Sequence, residues 1–432
     1  MSPTPKNPED PEHHPPFLLL PPLCHPHIHL DKPYILTANH PDFADLVPIT
    51  GQFHEALALT SAAKERYTPE DLFRRGEQLL AASYSYGVTS LRAFVEVDHV
   101  TNLISLEAAL RLKDRFAHLM QIQICVFAQD PLFSTCYGDA NLRTLDAAIA
   151  QFQDSIEAIG TTPYVEASRD AARANVEWAI TTALKHAFHL DFHLDYTLEP
   201  HHRPMAFEVI ELLRKHHWRQ VADASKTIVL GHCTHFSASN PTELQSLAAA
   251  IHASQLPIYF VGLPTSDLYM MGRPSAHDPS SQNRPRGTIN VPSLIQEHRL
   301  SACLGVNNVG NAFTPFGTGD PLQLASWAVG IYHAGTTEEA NLLYECVSTR
   351  ARRAIGLDPG QTFDVLDQHQ PVSGMLRLRN PRSIEVPGAP GQPPIRIGTR
   401  PRLSLKDVVW DPPEVNLRSI VRKTGTREKT EC

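Results

Sequence analysis

Eight short apolar runs alternate with longer segments of helical periodicity along most of this chain, and this alternation constrains the fold more than any other feature. The runs are rich in β-branched residues and therefore predict strands. They lie at 17–29, 89–97, 122–130, 155–162, 190–196, 227–233, 257–264 and 301–308. Helices are predicted at 69–87, 104–119, 172–187, 205–217, 241–254 and 337–357. Eight strands, each followed by a helix or a long connection, predict an α/β fold of the (β/α)8 TIM-like barrel type. A doubly wound open sheet is the competitor, but no G-x-G-x-x-G turn follows an early strand.

The 36 prolines crowd both ends of the chain and suggest where its domains begin and end. Residues 1–16 combine proline and charge without apolar periodicity, which predicts a disordered leader. The barrel is predicted over 17–358 and a small β appendage over 359–413, with strands at FDVLD (363–367) and GMLRLR (374–379). Residues 414–432 are predicted to be a polar tail.

Charge and composition narrow the class of partner. Lysine and arginine total 38 against 46 acidic residues, and the net charge of −8 argues against nucleic acid or an anionic membrane as a partner. No apolar stretch approaches the ~20 residues that span a bilayer, and the N-terminus lacks the pattern of a secretory signal. Seven cysteines without a C-x-x-C pair are typical of a reducing compartment. The sequence therefore predicts a cytoplasmic protein whose primary partner is neither nucleic acid nor a membrane, and leaves homo-oligomerisation open.

Histidines follow several of the predicted strands, at the end where a parallel barrel opens its active site. Side chains two apart on a strand share a face, so His27 and His29 are predicted to project together, with His25 on the same side. His193 closes the fifth strand and His232 closes the sixth. Imidazoles from several strand ends can converge on one divalent ion, although each histidine alone is more often structural. The set therefore predicts a metal centre.

These residues stand in motifs that resemble the cytosine-deaminase-like branch of the amidohydrolase superfamily. The motifs are HPHIHLDK, FAQD, FHLD, GHCTHFSA and LGVNNVGNAFTPFGTGDPLQLA, in that order along the chain. The resemblance covers about residues 18 to 366. It implies a (β/α)8 barrel that holds one divalent metal ion, zinc or iron, and hydrolyses a bond at a ring carbon or amide.

The resemblance also implies roles for individual residues. His27, His29 and His193 are expected to bind the metal ion. His232 is expected to orient the attacking water, and Gln129 to contact the amide edge of the substrate. The family builds part of a β-sandwich before the H-x-H segment, whereas only about 24 residues precede it here, so the appendage is expected to be incomplete or to be built mainly from residues 360–410.

Two positions depart from the family pattern. The family has a metal-binding aspartate after the eighth strand, where this chain has Asn307, followed by Asn308. An amide oxygen can bind a metal but is not a useful base, so Asn307 is a candidate ligand only. The family's deaminases also carry a glutamate where this chain has Tyr196, whose hydroxyl suits an acid or a hydrogen-bond donor. Tyr196 is therefore a candidate catalytic residue of a different kind.

Other residues have open roles. Asp195, Asp31 and Glu199 are possible substitutes for the missing carboxylates, with a structural role as the alternative. Asp267 stands where the family often has a polar amide, and is a candidate substrate contact. The segment 266–287 is either a lid over the site or a plain surface excursion.

The combined expectation is a metal-dependent hydrolase acting on a C–N bond of a small cyclic amide, amidine or aminated heterocycle. Two alternatives are kept. The missing carboxylates favour a catalytically impaired barrel that binds a ligand, and a metal-dependent lyase or decarboxylase would also function without the usual base.

Overall fold

The computed structural model describes residues 14–37, 40–199, 201–273, 286–357 and 374–421. The strands within these ranges are β1 (Phe17–Leu20), β2 (Leu23–His29), β3 (Val88–Glu96), β4 (Gln121–Ala128), β5 (Ala158–Thr161), β6 (His189–Leu194), β7 (Ile228–His232), β8 (Ile258–Gly262), β9 (Ser301–Leu304), β10 (Met375–Arg379), β11 (Ser383–Val386), β12 (Ile395–Gly398) and β13 (Arg418–Val421).

Strands β2 to β9 form one parallel sheet in chain order. The sheet closes where Ile28 of β2 bridges to Asn307, just beyond β9. There the amide of His29 donates to the carbonyl of Asn307 at 2.9 Å, and the amide of Asn307 donates to the carbonyl of His27 at 3.1 Å. The predicted (β/α)8 barrel is confirmed, and the open sheet is wrong.

Helices cover the outside of the barrel, which is why its strands are apolar on both faces. They are α1 (Phe53–Lys64), α2 (Pro69–Tyr86), α3 (Ile104–Phe116), α4 (Gly138–Phe152), α5 (Arg169–His186), α6 (Ala206–Lys215), α7 (Trp218–Val221), α8 (Pro241–Ser254), α9 (Pro264–Met270), α10 (Val291–Gln296), α11 (Pro321–Ile331), α12 (Thr337–Cys346), α13 (Thr349–Ala354) and α14 (Leu405–Trp410). Helices α1, α4 and α11 lie in segments where the sequence predicted only connections.

The ends of two helices illustrate the local chemistry. The hydroxyl of Thr68 accepts a hydrogen bond from the amide of Asp71 and begins α2, and Gly87 ends that helix with a φ of 103°. Such a left-handed φ favours glycine. The helix predicted at 337–357 divides into α12 and α13 because Ser348 leaves the helical conformation, with its hydroxyl donating to the carbonyl of Tyr344 at 2.7 Å.

The appendage differs from the sequence prediction at its edges. Strands β1, β10 and β13 form a three-stranded antiparallel sheet, and β11 pairs with β12. The strand predicted at 17–29 is two strands, because Pro21 and Pro22 lack the amide hydrogens that would continue the ladder, and only β2 joins the barrel. The polar tail predicted from residue 414 contains β13, which pairing with β10 orders. Residues 1–13 and the predicted strand at 363–367 lie outside the described residues.

The core consists mainly of apolar side chains packed between the barrel strands and the surrounding helices, such as Ile124, Leu190 and Leu230. Within the described ranges, every helix is too short or too polar to cross a bilayer.

Candidate metal centre and active-site cavity

Three histidines meet at the carboxyl end of the barrel. His27 and His29 lie on β2, and His193 lies on β6. The Nε2 atoms of His27 and His193 are 3.1 Å apart, and one nitrogen from each of the three rings lies within 4.8 Å of the other two. Ligand nitrogens around one tetrahedral zinc ion are separated by roughly 3.3 Å. The structure thus brings the three predicted ligands to distances that suit one ion.

His25 does not join this cluster, contrary to the sequence prediction. Its Nε2 atom pairs with the hydroxyl of Ser83 on α2, 3.1 Å away. The register of β2 against β3 shifts between His25 and Ile28, around Pro26, which has no amide hydrogen. The alternation of side chains that predicted a common face is broken at this point.

Burial gives the three clustered histidines the protonation state that a metal ligand needs. Their exposed fractions are 0% for His27, 3% for His29 and 2% for His193. Desolvation lowers the pKa of each ring well below its ordinary value, so the rings are neutral near pH 7. Neutral imidazole is the form that binds a metal ion.

Asn307 completes one side of the cluster. It follows β9 with a left-handed φ of 69°, and its Nδ2 donates to the hydroxyl of Ser266 at 3.0 Å. Its Oδ1 is buried without a hydrogen-bond partner among the described residues. A buried unpartnered oxygen beside three neutral imidazoles is the donor set expected of a divalent-cation site, so the residues present fit a metal ion.

His232 ends β7 next to the triad formed by the three clustered histidines, and its ring centroid lies 5.1 Å from that of His193. Its Nδ1 donates to Oδ1 of Asp267 at 2.7 Å. The hydroxyl of Thr288 donates to the other oxygen of Asp267, also at 2.7 Å. Asp267 is fully buried, and burial raises its pKa, an effect that the bond to His232 partly offsets. Both oxygens of Asp267 are therefore used behind His232, and the predicted substrate contact does not match this geometry.

A cavity opens above the triad, with about 330 Å³ of empty space that is partly open to solvent. Gln129, Tyr196 and His232 line it, as the sequence-based roles require. Burial raises the pKa of Tyr196 well above its ordinary value, so its hydroxyl stays protonated.

Four aromatic rings form one side of the cavity, and we call them the aromatic wall: Phe53, Tyr164, Tyr196 and Phe313. The ring of Phe53 lies 5.8 Å from that of Tyr196 and 6.0 Å from that of Phe313, centroid to centroid. Of these rings only Tyr196 was singled out from the sequence, because the others lie on helices and loops without a distinctive spacing.

Lys32 is a cavity residue that the sequence reasoning missed. It belongs to the HPHIHLDK motif, but it lies beyond the end of β2, where strand periodicity no longer predicts the direction of a side chain. Its ammonium group is buried and donates to Glu96. The same carboxylate pairs with Lys64 at 2.9 Å, and Lys64 also contacts Asp98 at 2.6 Å. Burial alone would raise the pKa of Glu96, but the two lysines lower it to about 2.

A second buried charge pair lies below the triad, towards the amino ends of the strands. Asp191 precedes His193 by two residues on β6, and its Oδ2 accepts from Nη1 of Arg92 at 3.0 Å. The guanidinium also donates to the side chain of Gln123 and to the carbonyl of Ile355. Oδ1 of Asp191 lies 3.9 Å from Nδ1 of His27, so this pair supports the triad from beneath.

The three candidate substitute carboxylates lie elsewhere. Asp195 accepts hydrogen bonds from the amides of Met205 and Ala206, at 2.7 and 3.2 Å, and so orders the start of α6. Asp31 accepts from the amide of Glu96 at 2.8 Å. Glu199 is exposed. Among the residues described as lining the cavity, none is a carboxylate.

The comparisons with known proteins agree with this fold. No family model matches the sequence, and no curated protein matches it. Among solved structures, the chain is similar to 5-methylcytosine deaminase from Klebsiella pneumoniae liganded with 5-fluorocytosine, with a TM-score of 0.70 and 22% identity over 91% of this chain and 82% of that chain. It is also similar to N-isopropylammelide isopropylaminohydrolase from Burkholderia multivorans, with a TM-score of 0.63 and 18% identity over 94% of this chain and 85% of that chain. A third similar structure is atrazine chlorohydrolase from Arthrobacter aurescens complexed with zinc, with a TM-score of 0.52 and 14% identity over 84% and 76% of the two chains. The chain has the fold of these proteins, as the resemblance predicted.

Proposed function

We propose that the chain is a metal-dependent hydrolase that cleaves a C–N bond of a small cyclic amide, amidine or aminated heterocycle. The observation that carries this proposal is the cluster of three buried, neutral histidines whose ligand atoms lie within 4.8 Å of one another. The similar structures include a deaminase and an aminohydrolase, and one is complexed with zinc, which supports a hydrolase with a divalent ion.

His27, His29 and His193 hold the ion in this proposal, with the amide oxygen of Asn307 as a fourth ligand. A bound divalent ion supplies Lewis acidity and a nucleophilic water near neutral pH. The remaining steps belong to the chain's own side chains.

His232 accepts a proton from the attacking water and returns it to the leaving nitrogen when the C–N bond breaks. Because Asp267 accepts the Nδ1 hydrogen at 2.7 Å, the lone pair of Nε2 is free on the opposite edge of the ring. The ring is therefore held in the tautomer that accepts a proton, and Asp267 is a positioning residue. Protonated Tyr196, whose ring centroid is 4.2 Å from that of His232, can donate a hydrogen bond to the leaving nitrogen or the developing oxyanion. Gln129 offers a donor and an acceptor to a planar amide edge.

A ligand-binding barrel without catalysis is the second candidate. The observation that favours it is the cavity lining, which contains Asn307 and Tyr196 but no carboxylate among the described residues. Such a protein would bind a metabolite and turn over none.

The test begins with the metal content of the purified chain and of two variants of one strand. His27→Ala should lose a stoichiometric ion, whereas His25→Ala, which removes a buried histidine bonded to Ser83, should keep it. Metal-loaded protein is then assayed against cyclic amides and aminated heterocycles for ammonia, amine or carboxylate release. Metal binding without any turnover would favour the ligand-binding alternative, and carbon dioxide release would indicate a lyase.

A further inference from the structure

The charges around the cavity point to a class of substrate. Lys32 is the one residue with a full formal charge among those described as lining the cavity. Asn307 and Tyr196, at the two positions that depart from the expected carboxylates, are neutral. A ligand that enters this cavity therefore meets an ammonium group and a cluster of metal-ligating histidines, and the described lining contains no carboxylate, because Glu96, the partner of the ammonium group, lies outside that lining.

We propose that the cavity selects a planar substrate that carries a negative charge, and that Lys32 binds this charge. This inference rests on the proposed function, since it names the substrate class of the same site. The shared chemistry is a planar oxyanion, either a carboxylate on the ring or an ionised ring imide.

The ammonium group of Lys32 has capacity for such a ligand. It has three donors, and among the described residues its hydrogen bond goes to Glu96. Its side chain is only 2% exposed, so a charge on a bound ligand would interact with it in a largely dry environment. Hydrogen bonds to charged groups contribute about 1.5–3 kcal/mol, roughly 10- to 150-fold in affinity.

Glu96, the carboxylate that pairs with Lys32, lies behind it in a network with Lys64. Glu96, Asp98 and Asp130 are absent from the described lining of the cavity, and all three contact Lys64. The charged group that faces the ligand is therefore the ammonium group, and none of these carboxylates lines the cavity.

The aromatic wall explains why the substrate is planar. The ring of Phe313 lies 5.8 Å from Nζ of Lys32, and the ring of Phe53 connects it to Tyr164 and Tyr196. A flat ring can stack on these side chains with its charged edge directed to Lys32.

Calorimetric binding of three single-ring probes tests the inference, with metal-free and zinc-loaded protein. Uracil is neutral at pH 7, orotate is the same ring with a carboxylate, and barbiturate is a ring ionised at that pH. We expect orotate or barbiturate to bind at least about tenfold more tightly than uracil. Preference for orotate alone would identify a ring carboxylate, and preference for barbiturate alone an ionised ring.

Three variants assign the preference to Lys32. Lys32→Met should reduce the anion preference to below about threefold, Lys32→Arg should retain it, and Glu96→Gln, which frees the ammonium group from its partner, should retain or increase it. Lys32→Met should fold, because Glu96 keeps its pair with Lys64, and a single cooperative melting transition together with the metal content of the parent would show this.

Two outcomes overturn the inference. One is that uracil binds as tightly as both anions, or that no probe binds at millimolar concentration. The other is that folded Lys32→Met keeps the anion preference. If the protein holds one metal ion per chain and hydrolyses neutral cyclic amides without any preference for anions, the substrate class is wrong while the proposed hydrolase stands. Loss of the metal centre would instead contradict the proposed function.

Discussion

Both ends of the barrel bury cations and histidines, but the hydrogen-bond partners of these groups differ between the two ends. At the amino end, the guanidinium of Arg92 donates to Asp191, Gln123 and the carbonyl of Ile355. At the carboxyl end, the hydrogen bond described for the ammonium of Lys32 goes to Glu96, and the group lines an open cavity. The lower cation is enclosed by protein partners, whereas the upper one keeps donors for a ligand.

The histidines show the same contrast. His189, at the start of β6, pairs through Nδ1 with the hydroxyl and amide of Thr227. His27 and His193, near the carboxyl ends of their strands, face each other, and their Nδ1 atoms have no hydrogen-bond partner among the described residues. Burial lowers the pKa of the histidines at both ends, so a low pKa alone does not separate a structural histidine from a metal ligand. The hydrogen-bond partners of the ring nitrogens distinguish the two.

The largest expected effect is the loss of zinc affinity when a metal-binding histidine at the carboxyl end is removed. His193→Ala should weaken zinc binding by more than about 100-fold, beyond the 10- to 100-fold typical of outer-shell changes, because it removes a donor atom. Isothermal titration with zinc measures this. The control is His189→Gln, which changes a buried histidine of the same strand and should leave zinc affinity unchanged. Equal losses in both variants would contradict the contrast between the ends.

The next effect concerns the amino end. Arg92→Met should lower the free energy of unfolding by about 3–5 kcal/mol, because it leaves Asp191 buried without its partner. Urea unfolding measures this. The double variant Arg92→Met, Asp191→Leu should recover most of the loss, since no unpaired charge then remains. Lys32→Met should cost less than half as much, because Glu96 keeps Lys64. A larger loss in Lys32→Met than in Arg92→Met would reverse the comparison.

A smaller effect, on kcat, is expected from changing Asp267, which lies behind His232. Asp267→Asn should lower kcat by about 10- to 100-fold with unchanged metal content, because the amide can present its NH2 group to Nδ1 and favour the wrong tautomer. Steady-state kinetics on a substrate found in the panel, together with metal analysis, measures this. Thr288→Val, which removes only the hydroxyl that donates to Asp267, is the control and should lose less. An unchanged kcat in Asp267→Asn would show that Asp267 is merely structural.

The smallest effect is a pH dependence of stability from the amino end. Burial lowers the pKa of His189 to about 2, against an ordinary value of 6.5. Below pH 6.5 the unfolded chain binds a proton that the folded chain does not, so stability falls as the pH decreases. Between pH 6.5 and 5.5 this histidine should cost about 1 kcal/mol. Urea unfolding of the parent and of His189→Gln at both pH values measures the difference, and parallel slopes for the two proteins would contradict it.

The sequence was sufficient for the fold because the evidence for it is local and repeated. The H-x-H spacing and the histidines at strand ends also indicated the cluster of His27, His29 and His193. The contact between His232 and Asp267 joins residues 35 apart, and depends on the turn from β8 into α9. Strand periodicity predicts nothing about such a turn. Arg92 and Asp191 are charged residues inside a barrel where the pattern predicts apolar ones, so their pairing is visible only in three dimensions.

The closure of the barrel between β2 and the residues after β9 couples the fold to the site. The first and last strands of the sheet meet through the bridge between Ile28 and Asn307, and the backbone groups that join them belong to His27, His29 and Asn307. The residues whose backbone hydrogen bonds close the barrel are also those whose side chains cluster at its carboxyl end. A fluctuation that breaks these backbone hydrogen bonds therefore also separates the clustered side chains. The lifetime of the intact site cannot exceed the lifetime of the closed barrel.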